Sequence, residues 1–202
     1  MPSPRRIGAP DAKNRQVLIE AAQQLLLEDG WAAVTSRRVA ERAGLKPQLV
    51  HYYFRSMDDL LLAIFRRNAD EGLELQAEMM KSDKPLHALW AFSTDPTAVR
   101  LTMEFVGLSN HRPAIRATVA EYAEKFRTIQ ANALDELLNE YGFDTTRFPS
   151  AAMAVLITSI SRVVVIERAL GMSGGHAEAL ELVEREIEKL EGKREDAGQD
   201  TP

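Results

Sequence analysis

Five residues in the stretch GLKPQLVHYYF, Gly44 to Phe54, carry side chains that can recognise a flat, polar surface. Glutamine can hydrogen-bond adenine through two atoms, lysine suits guanine or phosphate, and imidazole and phenol groups reach phosphate oxygens or base edges. The stretch supplies these types as Lys46, Gln48, His51, Tyr52 and Tyr53. Contact with DNA is one use of such a set. Packing at the end of a short helix, and a metal or catalytic cluster, are the alternatives.

The rest of the sequence does not support the metal or catalytic alternative. The four histidines are far apart, and none has the H-E-x-x-H spacing of a zinc site: His51, His87, His111 and His176. The chain has no cysteine, which excludes thiol nucleophiles, disulfides and thiolate metal sites. The sequence has no P-loop, dinucleotide fingerprint or Gly-x-Ser-x-Gly elbow. We therefore expect no enzymatic activity and no cofactor.

Charge is distributed unevenly along the chain. The first 55 residues hold nine Lys or Arg against five Asp or Glu, a net charge of +4, so the remaining 147 residues carry −9 of the total of −5. A basic segment joined to an acidic body indicates that one end of the protein meets a polyanion. A chance fluctuation of four charges is the alternative.

One stretch, Ala151 to Leu170, is apolar enough to resemble a membrane span. Arg162 lies just past its middle, and charged residues inside such a helix favour burial in protein over burial in lipid. The N-terminus, Met-Pro-Ser-Pro-Arg-Arg, lacks the apolar run of a signal peptide. We therefore expect a cytoplasmic protein with no membrane partner.

Apolar residues recur with a period of 3.6 and never for long with a period of two, so the predicted fold is all-α with about nine helices. Thr35 is a predicted N-cap, and Ser56 with Asp59 a predicted capping box. Prolines at first helical positions mark further helix starts after Lys84 and Asp95. The predicted domains are a flexible basic arm (1–12), a helix-turn-helix DNA-binding domain (13–56), a ligand-binding and dimerisation domain (57–191) and a disordered tail (192–202).

Residues 35–54 have the layout of a helix-turn-helix, with a capped helix, a turn at Gly44 and a second short helix. In such a unit the second helix enters the major groove of DNA. Leu49, Val50 and Phe54 are predicted to dock this helix, which leaves its polar residues for contact.

The run RQVLIEAAQQLLLEDGWAAVTSRRVAERAGLKPQLVHYYFRSMDDLLLAIF resembles the N-terminal domain of TetR-type (TetR/AcrR) transcriptional repressors. The matching features are a first helix that ends in acid-Asp-Gly, Thr-Ser-Arg before VAERAG, the aromatic end of the second short helix, and the S-x-D-D-L-L opening of helix four. The resemblance implies a DNA-reading domain followed by a helical ligand-binding and dimerisation domain. The residues then expected to contact DNA are Thr35, Ser36, Arg37, Arg38, Lys46, Gln48, His51, Tyr52 and Tyr53.

Two positions depart from the family pattern. Where the family has Tyr and His in a Tyr-x-His-Phe run, this chain has His51 and Tyr53, so the two residue types are exchanged. Met57 stands where the family has a lysine that grips phosphate. Losing that contact is expected to weaken DNA binding and its salt dependence, unless Arg55 or the arm residues Arg5 and Arg6 compensate.

Ligand contact in the second domain is expected from residues on apolar helix faces that are large, polar or charged: Trp90, Met103, Glu104, Tyr122 and Arg162. Plain core packing, or a structural ion pair between Glu104 and Arg162, is the alternative. The apolar helix near residues 149–170 needs cover on both sides: its own domain can cover one side, and a twofold partner using the last two helices is expected to cover the other.

Together these observations predict a ligand-responsive DNA-binding regulator, a repressor released from a near-palindromic double-stranded operator by a largely apolar small molecule. The predicted assembly is a homodimer. A helical carrier of small molecules or lipids, without a DNA role, is the alternative; it explains a pocket but leaves the polar set at Lys46, Gln48 and His51 without a use.

Overall fold

The computed structural model describes residues 13–192, and these form nine α-helices and one short 3-10 turn, Trp31–Ala33. The helices are α1 (Lys13–Asp29), α2 (Ser36–Arg42), α3 (Pro47–Tyr53), α4 (Met57–Met79), α5 (Pro85–Ser93), α6 (Pro96–Ser109), α7 (Pro113–Glu140), α8 (Ser150–Ala169) and α9 (His176–Glu191). The predicted all-α fold with about nine helices is confirmed. The predicted arm, with Arg5 and Arg6, and residues 193–202 of the predicted tail lie outside the described residues.

Side-chain caps fix several helix starts where the sequence predicted them. Ser56 and Asp59 form the reciprocal box: the Asp59 N–H donates to Ser56 Oγ and the Ser56 N–H donates to Asp59 Oδ2, each at 3.1 Å. Asp95 Oδ1 accepts from the Ala98 N–H at 2.7 Å at the start of α6. Lys84 precedes Pro85 at the start of α5 but makes no side-chain cap hydrogen bond.

Residue contacts divide the chain into two compact units. The first unit contains the described residues up to Glu71 together with Arg100–Tyr122. Its core joins α1, α2, α3, the first half of α4, α6 and the start of α7 through fully buried side chains that include Leu18, Leu25, Leu60, Ile64 and Phe105. Helix α4 contributes to both units, and the functional boundary predicted after residue 56 stays a prediction.

The second unit contains Gly72–Val99 and the described residues from Ala123 onwards. Leu86 and Leu89 of α5, Leu134 and Leu138 of α7 and Ala154 of α8 form its buried core. Glu191, the last residue of α9, connects α9 to α5. Its carboxylate accepts hydrogen bonds from the backbone N–H groups of Leu86 (2.8 Å) and His87 (3.2 Å). The last residue of α9 therefore caps the first turn of α5.

Helix α8 has one buried and one exposed face. The buried face carries Ser150, Ala154, Ser161, Val164 and Val165. The opposite face exposes apolar side chains at helical spacing: Val155 (45%), Leu156 (61%), Val163 (49%), Ile166 (37%) and Leu170 (72%). Within the described chain, α8 is the one helix long and apolar enough to cross a membrane by length and composition, and 28% of its apolar window is buried.

Candidate nucleic-acid interface

The turn between α2 and α3 is built from local backbone constraints. Thr35 Oγ1 accepts from the Arg38 N–H at 3.4 Å and so caps α2, as predicted. The turn closes when the Leu45 N–H donates to the Ala40 carbonyl at 2.9 Å. Gly44 has φ +65°, a left-handed conformation that side-chain-bearing residues rarely adopt. A β-carbon at Gly44 would meet nothing within 4 Å, so glycine is needed for backbone conformation rather than for space.

Helix α3 is docked along one side and open along the other. Val50 is 1% exposed and Phe54 3% exposed, and Leu49 packs half-buried against the same core. The predicted docking residues are therefore the ones that dock. The open side presents Lys46, Gln48, His51 and Tyr52, all exposed.

Tyr53 lies between the two sides of α3. It is half-buried against the core of the first unit, and its ring meets that of Tyr52 edge-on, with 4.9 Å between the ring centroids. The two tyrosines thus support each other, with Tyr52 the more exposed. This geometry makes Tyr53 partly a packing residue.

The residues expected from the start of α2 have different surroundings. Arg37 is exposed, as is Thr35, whereas Ser36 is half-buried. Arg38 is exposed as well, but its guanidinium donates to Asp29 Oδ2 at 2.6 Å. Arg38 therefore links α2 to the end of α1, a role that the sequence pattern did not predict.

An open cleft of about 490 Å³ lies beside the C-terminal end of α3. Four arginines line it, Arg15, Arg55, Arg66 and Arg67, together with one carboxylate, Asp59. Arg15 and Arg55 belong to the basic segment of the sequence, whereas Arg66 and Arg67 lie in α4 beyond that segment and were not predicted. Their spacing from Leu60 and Ile64 along an amphipathic helix is the signal that could have found them.

Neither Arg15 nor Met57 is left as a plain surface residue. The Arg15 guanidinium lies over the Phe54 ring at 5.2 Å from its centroid, which ties α1 to the end of α3. Met57, in the place of the family's lysine, packs half-buried against the core of the first unit. Met57 thus contributes apolar packing at the position where a lysine would contribute charge.

The five residues expected to contact a ligand are divided between the two units. Met103, Glu104 and Tyr122 belong to the first unit, and Trp90 and Arg162 to the second. Trp90 is buried, whereas the other four are half-buried.

Glu104 and Tyr122 have identified partners inside the first unit. Glu104 Oε2 accepts from the Trp31 backbone N–H at 3.3 Å, which anchors the 3-10 turn. The Tyr122 hydroxyl donates to Asp70 Oδ1 at 2.9 Å, and burial, followed by this hydrogen bond, raises the pKa of the phenol. Each residue therefore has a structural role beside any ligand contact.

In the second unit, Arg162 projects from the long apolar helix α8. Burial, and then the positive charge of Arg127 on α7, lower the pKa of the Arg162 guanidinium. In residues 13–192, no group of three or more His, Asp or Glu side chains gathers in a way that could hold a metal ion.

Comparison with known proteins finds similarity in the helix-turn-helix region and in the overall fold. Residues 18–64 match the family described as bacterial regulatory proteins, tetR family. The transcriptional regulator BetI of Brucella anthropi is 27% identical over 191 residues, which cover 89% of this chain and 93% of that protein. BetI of Rhizobium meliloti is 27% identical over 123 residues, 56% of this chain, and the match spans 61% of that relative's length.

A regulator from Saccharomonospora viridis, solved in complex with choline, has the same fold, with a TM-score of 0.74 at 19% identity over 86% of this chain and 95% of that one. The family match covers the helix-turn-helix whose open face is described above, and the fold match extends through the second unit. These comparisons favour a regulator over a carrier without a DNA role. Over residues 18–64 the chain is thus similar to bacterial regulatory proteins of the tetR family, and its fold is that of a solved transcriptional regulator.

Proposed function

We propose that this protein is a homodimeric repressor that binds a near-palindromic operator through α3 and is released from it by a small-molecule effector. The observation that carries the proposal is the division of α3 into a docked side, at Val50 and Phe54, and an open side that presents Lys46, Gln48, His51 and Tyr52. A helix held in this way can lie in a major groove without disturbing its own core.

Each open-side residue has a separate task in this proposal. Gln48 reads a base edge, with adenine as its best partner, and Lys46 contacts guanine or phosphate. His51 and Tyr52 reach phosphate oxygens or base edges, and Arg37, Thr35 and Ser36 contact the flanking backbone. Arg38 and Tyr53 contribute to DNA binding partly by supporting the structure: Arg38 contacts Asp29, and Tyr53 contacts Tyr52.

The exposed face of α8 supports the homodimer. Its apolar residues, from Val155 to Leu170, form one stripe along the helix, and such a stripe is costly to leave in water. A second copy related by a twofold axis would cover it with the same stripe. Helix α9 adds Leu182, an exposed apolar residue, beside mostly charged neighbours. Two copies of α3 about 34–36 Å apart would fit successive turns of DNA.

The oligomeric state of two variants tests the dimer. Leu156→Glu and Val163→Glu place a charge in the middle of the stripe, and each should convert the dimer to a monomer that binds operator weakly. Leu75→Glu changes an equally exposed leucine on α4 and serves as the control. Light scattering after size exclusion measures the mass. A wild type that is monomeric at micromolar concentration, yet binds the operator fully, would contradict the dimer.

Release by an effector requires that the ligand binds one conformation of the protein better than another. The effector would favour a spacing of the two α3 helices that no longer matches the operator. By reciprocity, bound DNA would lower the affinity of the protein for the effector. The complex of the Saccharomonospora viridis regulator suggests choline as one effector to test. We expect the protein in the cytoplasm, where it would meet DNA.

The proposed function is tested by protection of DNA. Footprinting on the region beside its own gene should show a protected site with approximate twofold symmetry at moderate salt. A measurement with the same protein on unrelated DNA gives the non-specific background, which specific binding should exceed by at least about a thousandfold. Equal affinity for both DNAs would contradict the proposal.

A further inference from the structure

Two arginines in the second unit, Arg127 and Arg162, lie on neighbouring helices. Asp135 of α7 and Ser150 of α8 are joined by a hydrogen bond of 2.8 Å, and Leu134 and Leu138 pack in one cluster with Ala154. The two helices therefore run antiparallel, and positions earlier in α7 lie opposite positions later in α8. This arrangement puts Arg127 within about one turn of the position opposite Arg162, consistent with the effect of its charge on Arg162.

Both guanidiniums lack a counter-charge within the described chain. Arg127 and Arg162 are half-buried, and across residues 13–192 neither has an Asp or Glu oxygen within 4.0 Å. An arginine stays protonated at neutral pH, so two neighbouring guanidiniums repel each other. Removing such charges from water without a partner is unfavourable. A nearby anion would therefore stabilise the pair.

A buried amide lies against the same stretch of α7. Gly72 of α4 faces Phe126, since a β-carbon at Gly72 would lie 3.1 Å from that ring, and Met80 packs against the cluster that contains Leu134. Gln76, one turn beyond Gly72, therefore lies along α7 between these two contacts. Its side chain is 2% exposed in total, and its Oε1 has no hydrogen-bond partner among the described residues. An unsatisfied buried polar atom in the same unit as the two arginines indicates a missing polar partner.

We infer that Arg127 and Arg162 bind the carboxylate, or a similar small oxyanion, of an effector whose remaining body is apolar. Guanidinium groups hold carboxylates through two parallel N–H···O bonds, and these bonds strengthen where water is excluded. The inference rests on the proposed function, because it names the class of effector that the second unit takes. A quaternary ammonium such as choline would instead meet two positive charges, and its binding would be disfavoured.

Three probes with one apolar body and different head groups test the charge preference. Octanoate is anionic, 1-octanol neutral and octyltrimethylammonium cationic. Calorimetric titration and the shift in melting temperature of the full chain measure the binding of each, with choline as a fourth probe. Octanoate should bind wild type at least about tenfold more tightly than octanol, and the two ammonium compounds should bind most weakly. Equal binding of all three octyl probes, or tighter binding of choline, would overturn the inference.

Substitutions separate ligand contact from a structural role. Arg162→Met and Arg127→Gln should each weaken octanoate binding by at least about tenfold, with unchanged octanol binding. Each should leave the melting temperature of the ligand-free protein unchanged or higher, because a desolvated like charge is removed. Arg162→Lys keeps the positive charge but cannot form two parallel N–H···O bonds, and it should retain part of the octanoate affinity. Arg185→Gln, an exposed arginine on α9, is the control and should change neither quantity.

The outcome also distinguishes a carboxylate of a second copy from that of a ligand. If Arg162→Met lowers the dimer mass and leaves octanoate affinity unchanged, the partner subunit supplies the anion and the inference fails. Operator binding separates this failure from failure of the proposed function. If the wild type binds its operator and is released by choline but not by octanoate, the proposed function is supported and the inference of an anionic effector is contradicted. If the wild type has no affinity for the operator, the proposed function itself is contradicted.

Discussion

Arg112 forms an ion pair with Asp58 in the first turn of α4, although 54 positions separate them. The same guanidinium lies over the Trp31 ring, 5.5 Å from its centroid, in the turn that follows α1. One residue between α6 and α7 therefore touches both ends of the helix-turn-helix region. Arg100 of α6 adds to this attachment by donating to the Leu27 carbonyl at 2.9 Å.

The first prediction concerns this attachment. Arg112→Met should lower the free energy of unfolding by about 1 kcal/mol, since a partly exposed ion pair and one cation–π contact each contribute a fraction of that. Chemical denaturation measures the change. In a double-mutant cycle with Asp58→Asn, the two losses should sum to more than the loss in the double variant. Strict additivity would show that the pair contributes nothing to stability.

The second prediction concerns base reading by Gln48. Gln48→Ala should weaken operator binding by about 1–3 kcal/mol and relax the preference at one base pair in each half-site. Stability should hardly change, because the side chain is exposed. Gln24→Ala, on the exposed side of α1, is the matched control and should bind as wild type does. Fluorescence anisotropy with a set of single-base operator variants measures both effects. A uniform loss over all variants would mean that Gln48 contacts the backbone.

The third prediction concerns the carboxylate that caps α5. Glu191 is 2% exposed at its side chain, and it accepts from two backbone N–H groups and from the Tyr141 hydroxyl (3.0 Å). Glu191→Ala should cost about 2–4 kcal/mol, because several donors lose their partner at once. Glu188→Ala, exposed on the same helix, should stay within about 0.5 kcal/mol of wild type. Similar losses of stability in both variants would contradict a capping role for Glu191.

The fourth prediction concerns stability at alkaline pH. Burial, and then the hydrogen bond to Glu191, raise the pKa of Tyr141 to about 12. In the unfolded chain the phenol loses its proton at about pH 10, so the folded state holds this proton more tightly between the two values. The stability due to Tyr141 is therefore complete below about pH 10 and is lost as the pH rises towards 12.

Tyr141→Phe isolates this contribution. Unfolding by urea should show that the wild type loses more stability than the variant across the same pH interval, because phenylalanine has no proton to lose. Lysines and arginines titrate in both proteins and cancel in the difference. Parallel stability curves for the two proteins would rule out the proton linkage.

Local signals in the sequence were enough to predict the helices and the docked side of α3. The Ser56–Asp59 box, the Thr35 cap and the position of Gly44 act over a few residues, so the sequence shows them directly. The short 3-10 turn Trp31–Ala33 was not predicted, because its backbone is held by a contact with Glu104, 73 positions away.

Contacts between distant parts of the chain could not be read in this way. Glu191 caps a helix that begins more than a hundred residues earlier, and neither residue type nor spacing indicates that pairing. Arg127 becomes notable only when the antiparallel packing of α7 and α8 brings its charge close enough to act on Arg162. Arg162 itself was identifiable, because a charge inside an apolar helix is exceptional. Its role depends on which partners the fold provides.

The central claim is that α3 reads a specific DNA sequence, and quantitative footprinting on the DNA beside the gene tests it most directly. Wild type should protect one near-symmetrical site, and Gln48→Ala should lose that protection before its non-specific binding changes. The affinity should also fall steeply as salt rises from about 50 to 200 mM, since phosphate contacts release counterions. A protein that protects no site at the lower salt concentration would contradict the account.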